Sequence, residues 1–163
     1  MPIDYYRESE KYRPTVIKRL LIGEAPPSSG QAYFYVPRAM NDQIPIRNDR
    51  NLPATIFYHY FQIRPTSEEA YDDLLFRLRD KGVFLVDICD IPVKVRGNPS
   101  GERKIVVEIP KLRSKLTHRG IHVPDEQITF LLARTSYSRQ IREGFPDAQR
   151  IRWIDFRMNP VFM

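Results

Sequence analysis

The chain has 163 residues, of which 42% are hydrophobic and 28% charged, and its formal net charge is +6. This size and composition predict one soluble globular domain spanning residues 1–163, and no apolar run reaches the roughly 18 to 20 residues that a membrane-spanning helix requires. Because Cys89 is the only cysteine, the chain can form no internal disulfide, no four-cysteine zinc site and no cysteine-ligated iron–sulfur cluster. We therefore predict no metal site and no cofactor.

The N-terminal region is predicted to lead into the first strand of a sheet. Residues 1–20 are charged and rich in tyrosine and lack the apolar stretch of a secretory signal, so we expect a cytoplasmic protein. Residues 16–22 (VIKRLLI) are a short run rich in branched apolar side chains, which is typical of a buried strand. Gly23 closes this strand, and the turn-forming sequence GEAPPSSG follows. The prolines Pro26 and Pro27 predict a stiff start to this loop, because they lack amide donors and disfavour a helix.

Two helices are predicted next in the chain. Residues 52–63 (LPATIFYHYFQI) are aromatic on nearly every side, which indicates a short buried helix. Residues 67–81 are predicted to form an amphipathic helix, because their apolar side chains recur at helical intervals. Thr66 and Glu69 have the spacing of a capping box at its start, and Gly82 supplies a stop at its end.

Three further apolar runs are predicted strands. They comprise residues 83–88 (VFLVDI), 128–133 (ITFLLA) and 151–156 (IRWIDF). Between the first two, a loop rich in Pro and Gly precedes a helix in which Leu112 and Leu116 are one turn apart, with Pro110 suited to its start and Gly120 to its end. Residues 135–145 are predicted to form a helix before the last strand. The order βααβαβαβ, with strands that are apolar throughout, predicts a three-layer α/β sandwich around a mainly parallel four-stranded sheet.

The carboxyl ends of these strands define the expected site, because ligands of parallel sheets bind in the crevice beyond those ends. The segments that arrive there are residues 23–27, 87–90, 134–137 and 157–160. Arg134 and Ser136 follow the third strand, where a guanidinium group and a hydroxyl at a helix N-terminus can seat a phosphate or simply cap the helix. We therefore predict a substrate site assembled from these four loops.

Positive charge is concentrated between residues 94 and 119. This segment contains eight Lys or Arg and two Glu, a net charge of +6, while the rest of the chain is neutral on balance. Such an excess can neutralise several phosphates of a nucleic acid, and it can equally be a solvated helix face with a basic loop. The candidate nucleic-acid-binding residues are Lys94, Arg96, Arg103, Lys104, Lys111, Arg113, Lys115 and Arg119.

The loop after the first strand carries the most specific motif. A carboxylate such as Glu24 on a rigid turn can orient or activate water, and it can also be a solvated residue of a plain tight turn. The run LLIGEAPPSSGQAYFY, residues 20–35, resembles the first motif of the uracil-DNA glycosylase superfamily, whose iron–sulfur branch carries GEAPG at this place. The resemblance implies a parallel sheet of four strands flanked by helices, and hydrolysis of N-glycosidic bonds in the repair of damaged DNA.

The resemblance also implies roles for individual residues. Glu24 is then the candidate catalytic residue that positions water, and a base stacks on Phe34 or, as the second choice, on Tyr33. The turn residues that contact the base are Gly23, Ala25 and Pro26.

The chain departs from the family's pattern at two places. Asp87 stands where the family has an asparagine that reads the base edge, and an ionised carboxylate only accepts hydrogen bonds, so it suits an amino group better than the O4 atom of uracil. Asp87 can alternatively be a helix cap or a salt-bridge partner. The His-Pro-Ser type motif after the fourth strand is replaced by Phe156-Arg157-Met158-Asn159-Pro160, so Arg157 is the candidate catalytic group that offsets charge on the departing base and Asn159 a candidate substrate contact.

Taken together, these patterns predict a divergent uracil-DNA glycosylase-like protein that binds a nucleobase or nucleic acid, single-stranded or damaged DNA above all. The main alternative is a catalytically inactive module on the same scaffold that binds nucleic acid or another protein. A small-molecule hydrolase that uses the same crevice is a third reading. No feature of the sequence predicts the oligomeric state, the preferred base or a membrane partner.

Overall fold

The computed structural model describes residues 3–27, 33–37, 52–94, 98–133 and 137–156. Within these residues the helices are α1 (Tyr5–Glu10), α2 (Leu52–Phe61), α3 (Glu68–Asp80), α4 (Pro99–Glu108), α5 (Leu112–His118), α6 (Ser138–Gly144) and α7 (Trp153–Phe156). Short 3-10 helices comprise Ile109–Lys111 and Asp125–Gln127. The strands are β1 (Arg19–Gly23), β2 (Val83–Asp87), β3 (Ile128–Leu132) and β4 (Gln149–Arg152).

The four described strands form one parallel sheet in the order β2-β1-β3-β4, which confirms the predicted α/β class and parallel sheet. Within the sheet, β2 lies on one side of β1 and β3 on the other. The chain therefore reverses its direction across the sheet between β2 and β3. Because crossovers between parallel strands are almost always right-handed, this reversal places α2 and α3 over one face and α4 to α6 over the other. The arrangement is consistent with a three-layer sandwich.

The core lies on both faces of β1, β2 and β3, whose residues are almost all buried. On the side of α2 and α3, the rings of Phe57 and Tyr71 meet edge to face at 4.9 Å between centroids. On the other side, Phe130 of β3 meets Phe145, which follows α6, at 5.2 Å. β4 is short and partly exposed, so it contributes little to the core.

The ends of the helices show which capping signals the chain uses. α3 begins after Ser67, whose hydroxyl accepts a hydrogen bond from the amide of Ala70 at 3.0 Å. The predicted capping box of Thr66 and Glu69 is therefore wrong by one residue at the cap. Gly82 ends α3 with a φ of +79°, a conformation that glycine adopts without strain, as predicted.

Helix α4 lies where the sequence predicted a loop. Asn98 caps it by accepting a hydrogen bond from the amide of Ser100 at 3.2 Å, and Pro99 occupies its first turn. Gly101 lets the helix approach the preceding chain closely, because a Cβ atom there would lie 2.0 Å from the carbonyl oxygen of Lys94. The pair Asn98-Pro99 is a helix-start signal, whereas we predicted that this segment is part of a loop.

The fourth strand is also shorter than predicted. β4 comprises Gln149–Arg152 rather than residues 151–156, and Trp153–Phe156 form the single-turn helix α7. Phe156 is fully buried in this helix and stacks on the ring of His59 in α2, with 3.9 Å between ring centroids. The segment that we expected directly after β4, residues 157–160, is therefore separated from that strand by α7 and lies outside the described residues.

Candidate functional site

The loops after β1 and β2 meet at the carboxyl edge of the sheet. Gly23 and Asp87 are partners in the strand register, so both strands end at the same level. Beyond them, the amide of Ile88 donates to the carbonyl of Gly23 and the amide of Cys89 donates to the carbonyl of Glu24, each at 2.9 Å. The acidic turn and Asp87 are therefore brought together, as the sequence predicted.

Glu24 links this pair of loops to the third strand. Its Oε1 accepts a hydrogen bond from the amide of Ala133, directly after β3, at 2.8 Å. In the two positions after Glu24, Ala25 packs against the core and Pro26 is buried. One oxygen of the Glu24 carboxylate thus joins the ends of β1 and β3, which gives this residue a structural role whatever chemistry it performs.

The Asp87 carboxyl group lies over Gly23. A Cβ atom on Gly23 would be 2.6 Å from Oδ1 of Asp87, so the absence of a side chain there makes room for the carboxyl group. Asp87 is partly buried, and its carboxyl group makes no hydrogen bond to any residue that the structure describes. Burial raises its pKa to about 7, with Asp90 adding to the effect and Lys115 and Arg119 opposing it.

Lys115 binds the loop that follows β2 through hydrogen bonds and an ion pair. Its ammonium group donates to the carbonyl of Asp87 at 2.6 Å and to that of Ile88 at 3.3 Å, and it pairs with the carboxylate of Asp90. Its side chain is only 17% exposed. The prediction that Lys115 binds nucleic acid is therefore wrong, because its donors face the protein's own backbone.

Phe34 packs inside the core, and all three aromatic residues 33–35 are buried. The Phe34 ring lies 5.5 Å from that of Phe57 and 4.9 Å from that of Tyr35, centroid to centroid. The Tyr35 hydroxyl accepts the amide proton of Leu85 at 2.7 Å, and the hydroxyl of Tyr71 donates to the carbonyl of Phe34 at 2.6 Å. This segment covers the open edge of β2, so we correct the expectation that Phe34 offers a free face for a base.

Two arginines of the basic segment also act within the fold. Arg113 forms a two-point ion pair with Asp125, with N–O distances of 3.2 and 2.6 Å, and donates to the carbonyl of Gly144. Arg119 is 11% exposed and pairs with Glu10 at 2.8 Å. The assignment of Arg119 to a nucleic-acid surface is therefore wrong, because its guanidinium group is largely buried in this ion pair. The side chain of Arg113 is 54% exposed, so its contact with nucleic acid stays a prediction.

The other described cations of the segment form an exposed surface, which we call the basic helix face. Lys94 is exposed just before α4. On α4 and its 3-10 extension, exposed basic side chains lie three or four residues from Val107 and so share its helix face, and Val107 is 59% exposed. They are Arg103, Lys104 and Lys111. Lys111 makes only an exposed contact of 3.4 Å with Glu108, so these cations can reach phosphates in solution.

Five predicted site residues lie outside the described residues. They are Arg96, Arg134, Ser136, Arg157 and Asn159. Their roles as phosphate, substrate or catalytic contacts stay predictions.

The remaining titratable candidates are structural. Nδ1 of His59 is 2.8 Å from the carbonyl oxygen of Phe156, and the ring is buried. The thiol of Cys89 is buried, which raises its pKa to about 11 and makes it a poor nucleophile. In the described part of the chain, no group of three or more His, Cys, Asp or Glu is placed to hold a metal ion. None of the helices there has the length and apolarity needed to cross a bilayer.

The sequence did not indicate which residues lie near Asp87 in space although they are far from it in the chain. The phenols of Tyr5, Tyr33 and Tyr35 lie close enough for the Asp87 charge to raise their pKa values. Tyr5 belongs to α1, which we did not predict. The Asp4 cap, whose carboxylate accepts from the amide of Arg7 at 3.0 Å, is the local signal that identifies this helix.

Comparison with known proteins adds no relative. A scan against protein-family models finds no match, and searches of curated proteins and of solved structures find none.

Proposed function

We propose that this chain is a divergent uracil-DNA glycosylase-like protein that binds a nucleobase of a nucleic acid at the carboxyl edge of β1 and β2. The observation that carries the proposal is the position of Asp87: a carboxyl group without a hydrogen-bond partner in the described residues, above Gly23, beside the GEAP turn. A partly buried carboxyl group with unused hydrogen-bonding capacity at the carboxyl edge of a parallel sheet is a typical ligand contact.

The basic helix face supports a nucleic acid as the source of that base. Arg103, Lys104 and Lys111 are exposed and share a helix face with the exposed Val107. Cations of this kind contact phosphates without reading sequence, and they make binding fall as salt rises. In this proposal, the base contact at Asp87 and the phosphate contacts on α4 are two parts of one nucleic-acid interface.

As an enzyme, the protein would hydrolyse an N-glycosidic bond in damaged DNA. Glu24 would position the water that attacks the sugar carbon. The base would leave with the bonding electron pair and take up the proton that the water loses. The described residues hold Glu24 by one carboxylate oxygen at the end of β3, which fixes its orientation.

The catalytically inactive module is the second candidate, and two observations favour it. The Glu24 carboxylate is engaged in holding the strand ends together. Phe34, the expected stacking ring, is occupied by Phe57 and Tyr35. Both residues then serve the scaffold, and base binding is left to Asp87.

A cleavage assay distinguishes the two candidates. Single-stranded oligonucleotides with one uracil, hypoxanthine or xanthine are incubated with the protein and tested for alkali-labile sites and for binding. Cleavage that is lost in Glu24→Gln and kept in Glu143→Gln supports the enzyme. Glu143 is an exposed residue of α6, which makes it a matched control. Base-dependent binding without cleavage supports the inactive module, and the absence of both refutes the proposal.

A further inference from the structure

β4 is an edge strand whose outer side has no partner strand in the described part of the chain. It is the last strand in the order β2-β1-β3-β4 and pairs there with β3. Along a parallel strand, successive residues direct their amide and carbonyl groups to opposite sides, so alternate residues of β4 direct theirs away from β3. No backbone hydrogen bond among the described residues reaches those outer groups. All residues of β4 are exposed or partly exposed, so this edge is accessible.

The opposite edge of the sheet, formed by β2, is covered by the chain itself. The amide of Leu85 on β2 donates to the hydroxyl of Tyr35 at 2.7 Å, and both residues are buried. An uncovered edge strand can pair with another extended chain, and charged side chains on the strand restrict which chain fits. The side chains of β4 therefore decide what its open edge accepts.

Those side chains give β4 a basic face and an apolar face. Arg150 and Arg152 lie on the same face, because side chains alternate along a strand. That face is directed toward α6, since the guanidinium group of Arg150 donates to the carbonyl and hydroxyl oxygens of Ser138 at 3.3 and 3.2 Å. Ile151 lies on the other face and packs against the core while remaining partly exposed. Ile154, which is exposed, follows in α7.

A second copy of the chain is a poor partner for this edge. A two-fold axis that pairs two β4 strands antiparallel keeps the same side-chain face on both strands. The arginines of one copy then lie opposite or diagonal to those of the other, where like charges repel. The ion pair of Arg152 with Asp155, at 2.9 Å, is exposed on both sides and neutralises this charge only weakly. The charge of β4 suits an acidic strand instead.

We propose that the outer edge of β4 is a docking site for an extended acidic segment of a partner protein, which adds to the sheet as a further strand. Backbone hydrogen bonds to the outer groups of β4 pair the two strands, and side chains on both faces select the sequence. Acidic side chains lie beside Arg150 and Arg152, and apolar ones lie beside Ile151. The recognised segment therefore alternates acidic and apolar residues. β3 separates this edge from β1, so the inference does not depend on the proposed function.

The probe is a capped, fluorescent octapeptide of alternating valine and glutamate. A valine–lysine octapeptide reverses its charge. A valine–glutamate octapeptide with every backbone amide methylated keeps the charge but can neither donate hydrogen bonds nor approach as a strand. Affinity is measured by fluorescence anisotropy at low salt, where exposed charges are screened least. We expect the probe to bind at least about tenfold more tightly than either control peptide.

Arg152→Glu and Arg7→Glu are matched variants, because each reverses the charge of one exposed arginine. Arg7 lies in α1, whose Tyr5 ring contacts that of Tyr33 in the segment covering β2, at the opposite end of the sheet. Arg152→Glu is expected to weaken binding of the valine–glutamate probe by about three- to tenfold and to improve binding of the valine–lysine peptide. Arg7→Glu is expected to change either affinity by less than about twofold.

Amide hydrogen exchange locates the bound probe. In the free protein, alternate amides of β4 are expected to exchange rapidly, and saturation with the probe is expected to slow them. Equal binding of the methylated peptide, protection away from β4, or no binding of the probe overturns the inference. Protection of the same amides by dimerisation of the free protein, measured by sedimentation, also overturns it, because β4 would then accept a second copy.

Discussion

Gly23 and Asp87 are partners in the parallel register of β1 and β2, and a Cβ atom on Gly23 would lie 2.6 Å from Oδ1 of Asp87. That distance is shorter than Cβ atoms tolerate, so the carboxyl group occupies the space that a side chain on β1 would fill. The last residue of β1 must be glycine for the carboxyl group of β2 to lie there.

The first prediction concerns this contact. Gly23→Ala is expected to lower the free energy of unfolding by about 1 to 3 kcal/mol, because overpacking a buried position forces the carboxyl group to move. Urea denaturation at pH 7 measures it. Gly144→Ala is the control, since nothing lies within 4 Å of a Cβ atom there, and it is expected to be neutral or slightly stabilising. Equal effects of the two substitutions would contradict the packing argument.

The second prediction concerns pH and stability. The pKa of Asp87 is raised from 3.8 to about 7, so between these values the folded protein holds a proton that the unfolded chain has released. The stability contributed by this protonation is present at low pH and is lost as pH rises toward 7. Asp87→Asn is therefore expected to match wild type near pH 4 and to be more stable above pH 7, by on the order of 2 to 4 kcal/mol.

Urea denaturation of both proteins from pH 4 to pH 8 measures that difference. Groups that titrate equally in the two proteins cancel, so the pH dependence of the difference belongs to Asp87. A difference that is constant across this range would show that Asp87 titrates alike in the folded and unfolded states.

Strands β1, β2 and β3 were predictable because each is a short, largely apolar run, which is a local signal. The bounds of β4 were not, because its residues QRIR carry no such signal. The convergence of Gly23, Glu24 and Asp87 followed from strand order alone. The roles of Phe34 and Lys115 were not predictable in this way. Which face an aromatic ring turns to the core, and whether a lysine reaches a backbone carbonyl, depend on packing between residues far apart in the chain. Phe34 packs on Phe57, and Lys115 binds carbonyls of a different loop.

The third prediction separates a structural lysine from a surface lysine. Lys115→Met is expected to lower the free energy of unfolding by about 1 to 3 kcal/mol, because it leaves the carbonyl of Asp87 without its buried donor. Lys111→Met is expected to change it by less than about 0.5 kcal/mol, since exposed ion pairs contribute little. Thermal unfolding of the two variants tests this difference, and equally small effects would show that Lys115 is a surface cation.

The fourth prediction concerns the bond from Glu24 to the end of β3. Glu24→Gln keeps an oxygen that can accept from the amide of Ala133, whereas Glu24→Ala removes it. We expect Glu24→Ala to destabilise the protein by about 1 to 3 kcal/mol and Glu24→Gln to cost distinctly less. Hydrogen exchange at the Ala133 amide should accelerate in the alanine variant only. Exchange that is unchanged in both variants would show that the carboxylate does not hold this strand end.

The last prediction concerns the basic helix face. Arg103→Glu is expected to weaken binding of a single-stranded oligonucleotide and to reduce the slope of log affinity against log salt by about 0.7 for each lost phosphate contact. Arg142→Glu, on α6, is the control, because Arg142 is also an exposed helical arginine outside that face. Charge reversal changes the net charge of the protein by the same amount in both variants. A difference between them therefore reports direct phosphate contact, and equal losses would mean that the oligonucleotide responds only to overall charge.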